Sequence, residues 1–134
     1  MKAPPRWLSE KALLLLHEES LSVFGGARGL RDRAMLESAL ARPLNTHAYR
    51  PASTMADLAA SYAYGLARNH PFVDGNKRAA FLSIGVFLAL NGLRLAADQV
   101  DAIQTMLAVA DGSLDEQGLA AWIQRNSVPS NRRG

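Results

Sequence analysis

A run of twelve residues, Ala79 to Leu90, holds a single polar side chain, Ser83, and it constrains the fold more than any other part of the sequence. A membrane-spanning helix needs about 20 apolar residues, so the run is too short to cross a bilayer. A helix that is apolar on all sides is instead typical of the interior of a bundle. Gly92 predicts its end. We therefore expect a helical bundle around a buried central helix over residues 77–91.

Further helices are predicted from the spacing of apolar residues and from residues typical of helix ends. The second is expected to stop before Pro43, because proline disrupts a helix interior, and to be followed by a loop holding His47, Tyr49 and Pro51. Alternation of apolar and polar residues is nearly absent, although residues 93–95 could pair briefly as a strand. The fold class is therefore all-α. The predicted helices run from Glu10 to Phe24, from Asp32 to Ala41, from Ser53 or Thr54 to Arg68, from Lys77 to Asn91, from Asp98 to Asp111 and from Asp115 to Asn126.

The length of 134 residues suits one domain with a sizeable core. We predict a single helical domain over residues 1–127 and a polar flexible tail over residues 128–134. The formal net charge is +3, but Arg132 and Arg133 in the tail supply part of it. No dense basic stripe with interleaved aromatic residues is present, so nucleic acid is not an expected partner.

The sequence contains no cysteine, which excludes disulfides and thiolate metal sites and is compatible with a reducing cytosol. The first apolar run, Ala12 to Leu16, is five residues long. The apolar core of a signal peptide needs about 7 to 15 residues, so this run is too short to be one. A soluble, cytoplasmic protein with no membrane partner is expected.

Residues 69–78 read N-H-P-F-V-D-G-N-K-R and concentrate chemically active side chains directly ahead of the apolar run. Pro71 lacks a backbone N–H and disfavours a helical conformation at His70. The preceding helix is therefore expected to end near Asn69. An imidazole, a carboxylate, an amide and two cations then follow within nine residues, which indicates a functional site.

The second half of this segment predicts a phosphate site. Asp74 and Gly75 form a turn pair, and Asn76 is predicted as the N-cap of the next helix, with Lys77 and Arg78 as its first residues. A helix N-terminus carries partial positive charge, so two cations there are disfavoured unless an anion binds. Exposed N–H groups, the helix dipole and the two basic side chains together favour phosphate.

The segment His70 to Arg78 resembles the H-x-F-x-D-G-N-K-R motif of the Fic/Doc family, specifically its death-on-curing (Doc) toxin branch. The resemblance extends to the Leu-His-Glu of the first helix, to the glycine-rich segment Gly25 to Asp32 and to Leu-Asn-Gly at residues 90–92, and so covers nearly the whole chain. It implies a Fic-type fold and transfer of a phosphate-containing group from a nucleotide to a protein hydroxyl.

The resemblance and the side-chain chemistry together suggest a role for each motif residue. His70 is the candidate general base, and Asp74 is expected to hold Mg²⁺. Lys77 and Arg78 are expected to neutralise charge on the transferred group, which makes them catalytic candidates beside His70. The Asn76 amide is open to two roles, helix capping or phosphate binding. The predicted nucleotide and phosphate contacts are Asp74, Gly75, Asn76, Lys77, Arg78 and Arg68.

Three other residues are expected to be structural instead. Phe72 is predicted to be an apolar anchor for the loop, and His17 and His47 lack companions that would make them catalytic.

The motif departs from that of Fic adenylyltransferases, H-x-F-x-D/E-G-N-G-R-x-x-R, at two positions. Lys77 stands where those proteins have a second glycine, and Phe81 stands where they have the last arginine. In the Doc branch the lysine goes with kinase chemistry. The resemblance therefore implies a toxin that transfers the terminal phosphoryl group of ATP, with Mg²⁺, to a threonine of the translation factor EF-Tu. Transfer of AMP, and a non-enzymatic nucleotide-binding or interaction module, stay open as alternatives.

The resemblance also implies how such a toxin is restrained. Many Fic proteins carry an inhibitory helix with the pattern Ser/Thr-x-x-x-Glu-Gly/Asn, and this sequence has no match to it. Restraint in trans is therefore expected, from a Phd-like antitoxin whose disordered segment folds on binding. The first helix and the segment Gly25 to Asp32 are the expected contact regions.

Overall fold

The computed structural model describes residues 4–130 as a bundle of helices with one small sheet. Across that range the elements are α1 Glu10–Phe24, α2 Arg33–Tyr49, α3 Met55–Asn69, α4 Asn76–Leu90, β1 Leu93–Leu95, α5 Gln99–Asp111, α6 Glu116–Asn126 and β2 Ser127–Pro129. The predicted all-α class is confirmed, because the only sheet in residues 4–130 consists of two strands of three residues. None of these helices combines the length and the apolarity that a membrane span requires.

Most helix starts follow from side chains that the sequence singles out. The side-chain oxygens of Ser9, Asp98 and Asp115 accept hydrogen bonds from backbone N–H groups in the first turns of α1, α5 and α6. Thr54 caps α3 in a reciprocal arrangement, in which the Asp57 carboxylate accepts from the Thr54 N–H at 2.9 Å and the Thr54 hydroxyl accepts from the Asp57 N–H at 3.0 Å. Each cap supplies an acceptor for N–H groups that have no partner within the helix. The predicted starts of these helices are confirmed.

Helix α2 is longer than predicted, because it passes through Pro43 and ends at Tyr49. The prediction that it stops at Ala41 is therefore wrong, and the expected loop around His47 is the last part of this helix. A proline in a helix interior costs about 3 kcal/mol through the lost hydrogen bond and the steric clash. Here Pro43 is buried, on the face by which α2 packs against α3, and this burial offsets the cost. The buried face of α2 consists of Leu36, Ala39 and Pro43.

Helix α3 occupies the centre of the bundle and packs against α2, α4, α5 and α6. Its residues from Ala56 to Ala67 are buried with few exceptions, whereas α4 buries one side and leaves Phe81 and Leu82 half-buried and Leu90 39% exposed. The bundle is thus centred on α3, with α4 packed against it, and not on α4 as expected. The physical reason is the small side chains of α3, which let several helices approach it closely.

The two strands join the end of α4 to the end of α6. Arg94 pairs with Val128 in the middle of an antiparallel ladder, and the Ser130 N–H donates to the Gly92 carbonyl at 3.0 Å. Strand pairing by residues 93–95 is therefore confirmed. The ladder also includes Val128 and Pro129, the first residues of the expected tail. Pairing with β1 gives their backbone groups hydrogen-bond partners. Residues 131–134 lie outside the described range, and the domain boundary at residue 127 stays a prediction.

The crossing of α2 and α3 is expected to tolerate only glycine at position 65. A Cβ on Gly65 would lie 3.2 Å from the Ala39 Cα and 2.7 Å from the Arg42 Cδ, whereas a Cβ on Gly85 in α4 would meet nothing within 4 Å outside its own helix. Gly65→Ala should lower the free energy of unfolding, because overpacking of about 1 to 3 kcal/mol outweighs a gain in helix propensity of about 1 kcal/mol.

Gly85→Ala is the matched control, since it gains the same helix propensity without the crowding, and it should raise the midpoint of thermal unfolding followed by circular dichroism. Equal stabilisation by the two substitutions would contradict a tight α2–α3 crossing.

Candidate active site

The candidate site is built on the motif loop, residues 70–75, which connects the end of α3 to the start of α4. His70 caps α3, is exposed, and has a left-handed backbone conformation with φ 50° and ψ 57°. Such a conformation costs about 1 to 3 kcal/mol for a residue other than glycine, and the following proline disfavours helical values of φ and ψ as well. The predicted end of α3 near Asn69 is confirmed.

Residues 25–32, here called the glycine loop, hold the strained end of α3. The Arg31 Nε donates a hydrogen bond of 2.6 Å to the His70 carbonyl, and the Arg31 Nη2 donates one of 2.9 Å to the Asn69 carbonyl. Carbonyls in the last turn of a helix have no partner within it. The guanidinium therefore satisfies two such groups with charge-assisted bonds, which are stronger than neutral ones.

The backbones of the two loops also pair with each other. The Arg31 and Asp32 N–H groups donate to the Pro71 carbonyl at 2.7 and 3.0 Å, and the Val73 N–H donates to the Gly29 carbonyl at 3.0 Å. Leu30 lies opposite Phe72 in a single antiparallel bridge. The two loops thus form one hydrogen-bonded unit.

The glycine loop also orients the Asp74 carboxylate. The Ala27 N–H donates to its Oδ2 at 3.2 Å, and the Gly75 N–H donates to its Oδ1 at 2.8 Å. These two hydrogen bonds, with a smaller contribution from the positive charge of Arg78, lower the pKa of Asp74 below its ordinary value, so the side chain is an anion at neutral pH. Gly26 has φ 124°, and a Cβ there would lie 2.8 Å from the Asp74 Oδ2, so a side chain at this position would collide with the carboxylate.

Helix α1 supports the motif loop through His17, which is buried. The His17 Nε2 lies 2.8 Å from the Asp74 backbone oxygen, and since a carbonyl only accepts, this nitrogen carries the proton. The imidazole stacks on Phe72, with ring centroids 3.7 Å apart and an angle of 8° between the planes. Phe72 is 2% exposed. This geometry agrees with the expected structural role of His17 and with Phe72 as an apolar anchor.

Asn76 does not cap α4, so that prediction is wrong. The N-cap is Gly75, with φ 78°, and α4 has no side-chain cap. The Asn76 amide is engaged elsewhere: its Oδ1 accepts from the Phe72 N–H and its Nδ2 donates to the Phe72 carbonyl, both at 2.9 Å. The amide therefore holds the loop, and the first N–H groups of α4 are left without a side-chain acceptor, as an anion site requires.

The structure places the three basic candidates differently. Lys77 is exposed and Arg78 is half-buried, both in the first turn of α4, and the Arg78 guanidinium lies 4.6 Å from the centroid of the Phe24 ring. Arg68 is not brought to this site. Its Nη1 donates to the Ala110 carbonyl near the end of α5 at 3.3 Å, so the expected contact of Arg68 with phosphate has no support in this geometry.

The residues present fit a magnesium ion that shares its coordination with a nucleotide. Nowhere in residues 4–130 do three or more acidic or histidine side chains gather around one point, so the protein alone offers no complete metal cage. Magnesium in phosphate sites needs only one or two carboxylates, with phosphate oxygens and waters as the other ligands. The Asp74 carboxylate is exposed and anionic and adjoins the uncapped start of α4, which suits this arrangement.

A cavity of about 840 Å³ lies elsewhere, between α2, the start of α3 and α6, and includes no residue of the motif loop. Its lining contains the ion pair of Arg42 with Glu116 and the cap formed by Thr54 and Asp57. These charged groups already serve the fold, so the candidate site is located by the chemistry of the motif and not by the size of this cavity.

Sequence reasoning missed the contributions of Arg31, Ala27 and Phe24. The glycine-rich composition of the segment Gly25 to Asp32 is the signal that points to this region. Which of its groups faces the motif depends on contacts between residues 39 to 54 positions apart, and local sequence patterns do not contain that information.

The pKa of Asp74 leads to a prediction about acid stability. Because the pKa is lower in the folded chain than the ordinary value of 3.8, the anion stabilises the fold above that value, and this stabilisation is lost as pH falls through the lowered pKa. Between about pH 5 and pH 2 and without Mg²⁺, the melting temperature of Asp74→Asn should fall less steeply than that of the wild type. Glu19→Gln, an exposed site on α1, controls for the loss of one charge, and parallel curves for Asp74→Asn and the wild type would contradict the prediction.

Comparison with known proteins identifies the family of this chain. Residues 7–88, which include α1, the glycine loop and the motif loop, match the sequence model of the Fic/DOC family. Toxin Doc from Mycolicibacterium smegmatis is 41% identical over 101 residues, which cover 73% of this chain and 78% of that protein. Protein kinase doc from Escherichia phage P1 is 29% identical over 120 residues, which cover 90% of this chain and 94% of that protein. The chain therefore belongs to the Fic/DOC family, in its Doc branch.

Proposed function

We propose that this chain is the toxin of a toxin–antitoxin pair and that it transfers the terminal phosphoryl group of ATP to a Ser or Thr hydroxyl of a translation factor such as EF-Tu. One observation carries the proposal: an anionic Asp74 and an exposed His70 adjoin a helix start that has two cations and no side-chain cap. Similarity to proteins named Toxin Doc and Protein kinase doc supports the choice of a toxin and of a kinase.

In the proposed reaction, His70 takes the proton from the substrate hydroxyl as its oxygen forms a bond to the γ-phosphorus. The bond between that phosphorus and the bridging oxygen breaks, and ADP leaves. General-base help of this kind contributes about 10² to 10⁴ in rate. The exposure of His70 on the motif loop leaves it accessible to a hydroxyl on another protein.

The start of α4 is proposed to bind the phosphates. Its free N–H groups and Lys77 provide positive charge where negative charge accumulates in the transition state. The Arg78 guanidinium contacts the Phe24 ring, which is 67% exposed. A cation–π contact that is open to water is worth only about 0.5 to 1 kcal/mol, so Arg78 is able to exchange it for a contact with phosphate. Mg²⁺, held by Asp74 and phosphate oxygens, would neutralise further charge on the transferred group.

Transfer of AMP uses the same base, carboxylate and anion site, and differs in which phosphorus faces His70. Two residues favour transfer of the terminal phosphoryl group instead. Lys77 fills space that a glycine leaves to the phosphates in adenylyltransferases, and Phe81, half-buried against the core, cannot serve as the arginine that those proteins have there.

The mass of the modified target distinguishes the reactions. After incubation of EF-Tu with the wild type, ATP and Mg²⁺, intact-mass spectrometry should show an addition of about 80 Da for a phosphoryl group, whereas AMP would add about 329 Da. His70→Ala should lower the rate by about 10² to 10⁴ while keeping the wild-type melting temperature, because an exposed loop imidazole contributes little to the core. Bound nucleotide without any modification of EF-Tu or of other cytoplasmic proteins would favour the non-enzymatic alternative.

A toxin of this kind needs restraint, and we propose that a Phd-like antitoxin covers part of α1 in the cytoplasm. Clustered apolar side chains that face solvent mark sites of protein interaction. Helix α1 exposes two neighbouring ones, Val23 and Phe24, at the end that adjoins the glycine loop. Helix α5 exposes a second set, but α1 lies next to the candidate active site through the contacts of His17 and Phe24.

Expression experiments test this partner directly. Production of the wild type alone should arrest growth, and co-expression with a short neighbouring reading frame should relieve the arrest. His70→Ala should be harmless and still bind that partner, because the substitution leaves α1 unchanged. Normal growth during wild-type production, with no partner recovered from the native host, would contradict the toxin assignment and leave the transferase activity to be judged by mass.

A further inference from the structure

We propose that Arg31 is a positioning residue for the transfer reaction, because its guanidinium fixes the backbone from which the His70 imidazole projects. This inference rests on the proposed function of His70 as the general base. Arg31 touches neither substrate nor phosphate in this proposal, and it acts through the backbone of the motif loop alone.

The geometry of the contact is specific to a guanidinium. Two different nitrogens of Arg31 donate to two successive carbonyls, those of Asn69 and His70, at 2.9 and 2.6 Å. The directions of these carbonyls follow from the ψ angles of residues 69 and 70, so the contact fixes the turn of the backbone at His70. A planar fork of donors is able to hold both carbonyls at once, whereas the compact ammonium of lysine does not reproduce that fork.

Arg31 is held in place by its own backbone, since its N–H donates to the Pro71 carbonyl at 2.7 Å. It also differs from the other arginines nearby. Arg28 pairs with Glu18 and Arg33 pairs with Glu10, whereas Arg31 has no carboxylate partner within residues 4–130 and directs its charge to the end of α3.

The two ends of the motif loop have separate supports. Asn76 and His17 hold the later residues, Phe72 and Asp74, and these contacts do not involve Arg31. At the other end, the backbone conformation of His70 is disfavoured for two reasons: it is left-handed in a residue other than glycine, and a proline follows it. Loss of Arg31 would therefore let the backbone at His70 relax and move the imidazole, while the phosphate site at the start of α4 stays in place.

The test compares Arg31→Gln with Arg28→Gln, a matched arginine of the same loop whose side chain contacts only an exposed glutamate. In the transfer assay, Arg31→Gln should lower kcat by about 10²-fold, the cost of a misplacement of about 1 Å at a reacting group, with an unchanged KM for ATP. Arg28→Gln should keep the wild-type kcat. Guanidinium ion, at concentrations below those that unfold the chain, should restore part of the activity of Arg31→Gln and none to His70→Ala.

A wild-type kcat for Arg31→Gln, an equal loss for Arg28→Gln, or a rise in the KM for ATP with kcat unchanged would overturn the inference. If Arg31→Gln does not fold, Arg31→Lys takes its place: a lower kcat at an unchanged melting temperature supports the inference, and a wild-type kcat overturns it. Failure of the proposed function is recognised separately, because then the wild type modifies no target or His70→Ala is as active as the wild type.

Discussion

The candidate active site depends on hydrogen bonds between two loops that have no regular structure of their own. The motif loop holds the candidate catalytic groups His70 and Asp74. The glycine loop provides a cation for the carbonyls at the end of α3 and an N–H group for the Asp74 carboxylate. These hydrogen bonds join the two loops directly, and those of the Arg31 guanidinium are charge-assisted, so each loop stabilises the other. We therefore regard them as one cooperative unit.

The helices determine where this unit lies. Small side chains along α3 let α2 and α4 pack closely against it, which places the start of α4 beside the end of α3. Helix α1 then contacts the motif loop, where the stacked pair of His17 and Phe72 fills the space between them. The side chains of His70 and Asp74 remain exposed, whereas the buried residues His17 and Phe72 support the loop from the interior.

Features that depend on neighbouring residues could be predicted from the sequence. Helix caps act over three positions, so most predicted starts are confirmed, and the residue types between His70 and Arg78 pointed to the Fic/DOC family. The phosphate site itself stays a prediction. Features that depend on tertiary contacts could not be predicted from the sequence. Pro43 stays within a helix because its face is buried, and Asn76 finds partners within the loop in place of the helix end. The long side chain of Arg68 reaches a different helix.

The contact between His17 and the Asp74 carbonyl joins residues 57 positions apart, and it limits how far the site is a portable module. Residues 70–78 are continuous in sequence, which invites their transfer onto another helical scaffold. Their conformation, however, is imposed by α1 and by the glycine loop, both of which come much earlier in the chain. A transplanted motif would keep the candidate catalytic side chains and lose their arrangement, so any portable unit must include at least the stretch from α1 to α4.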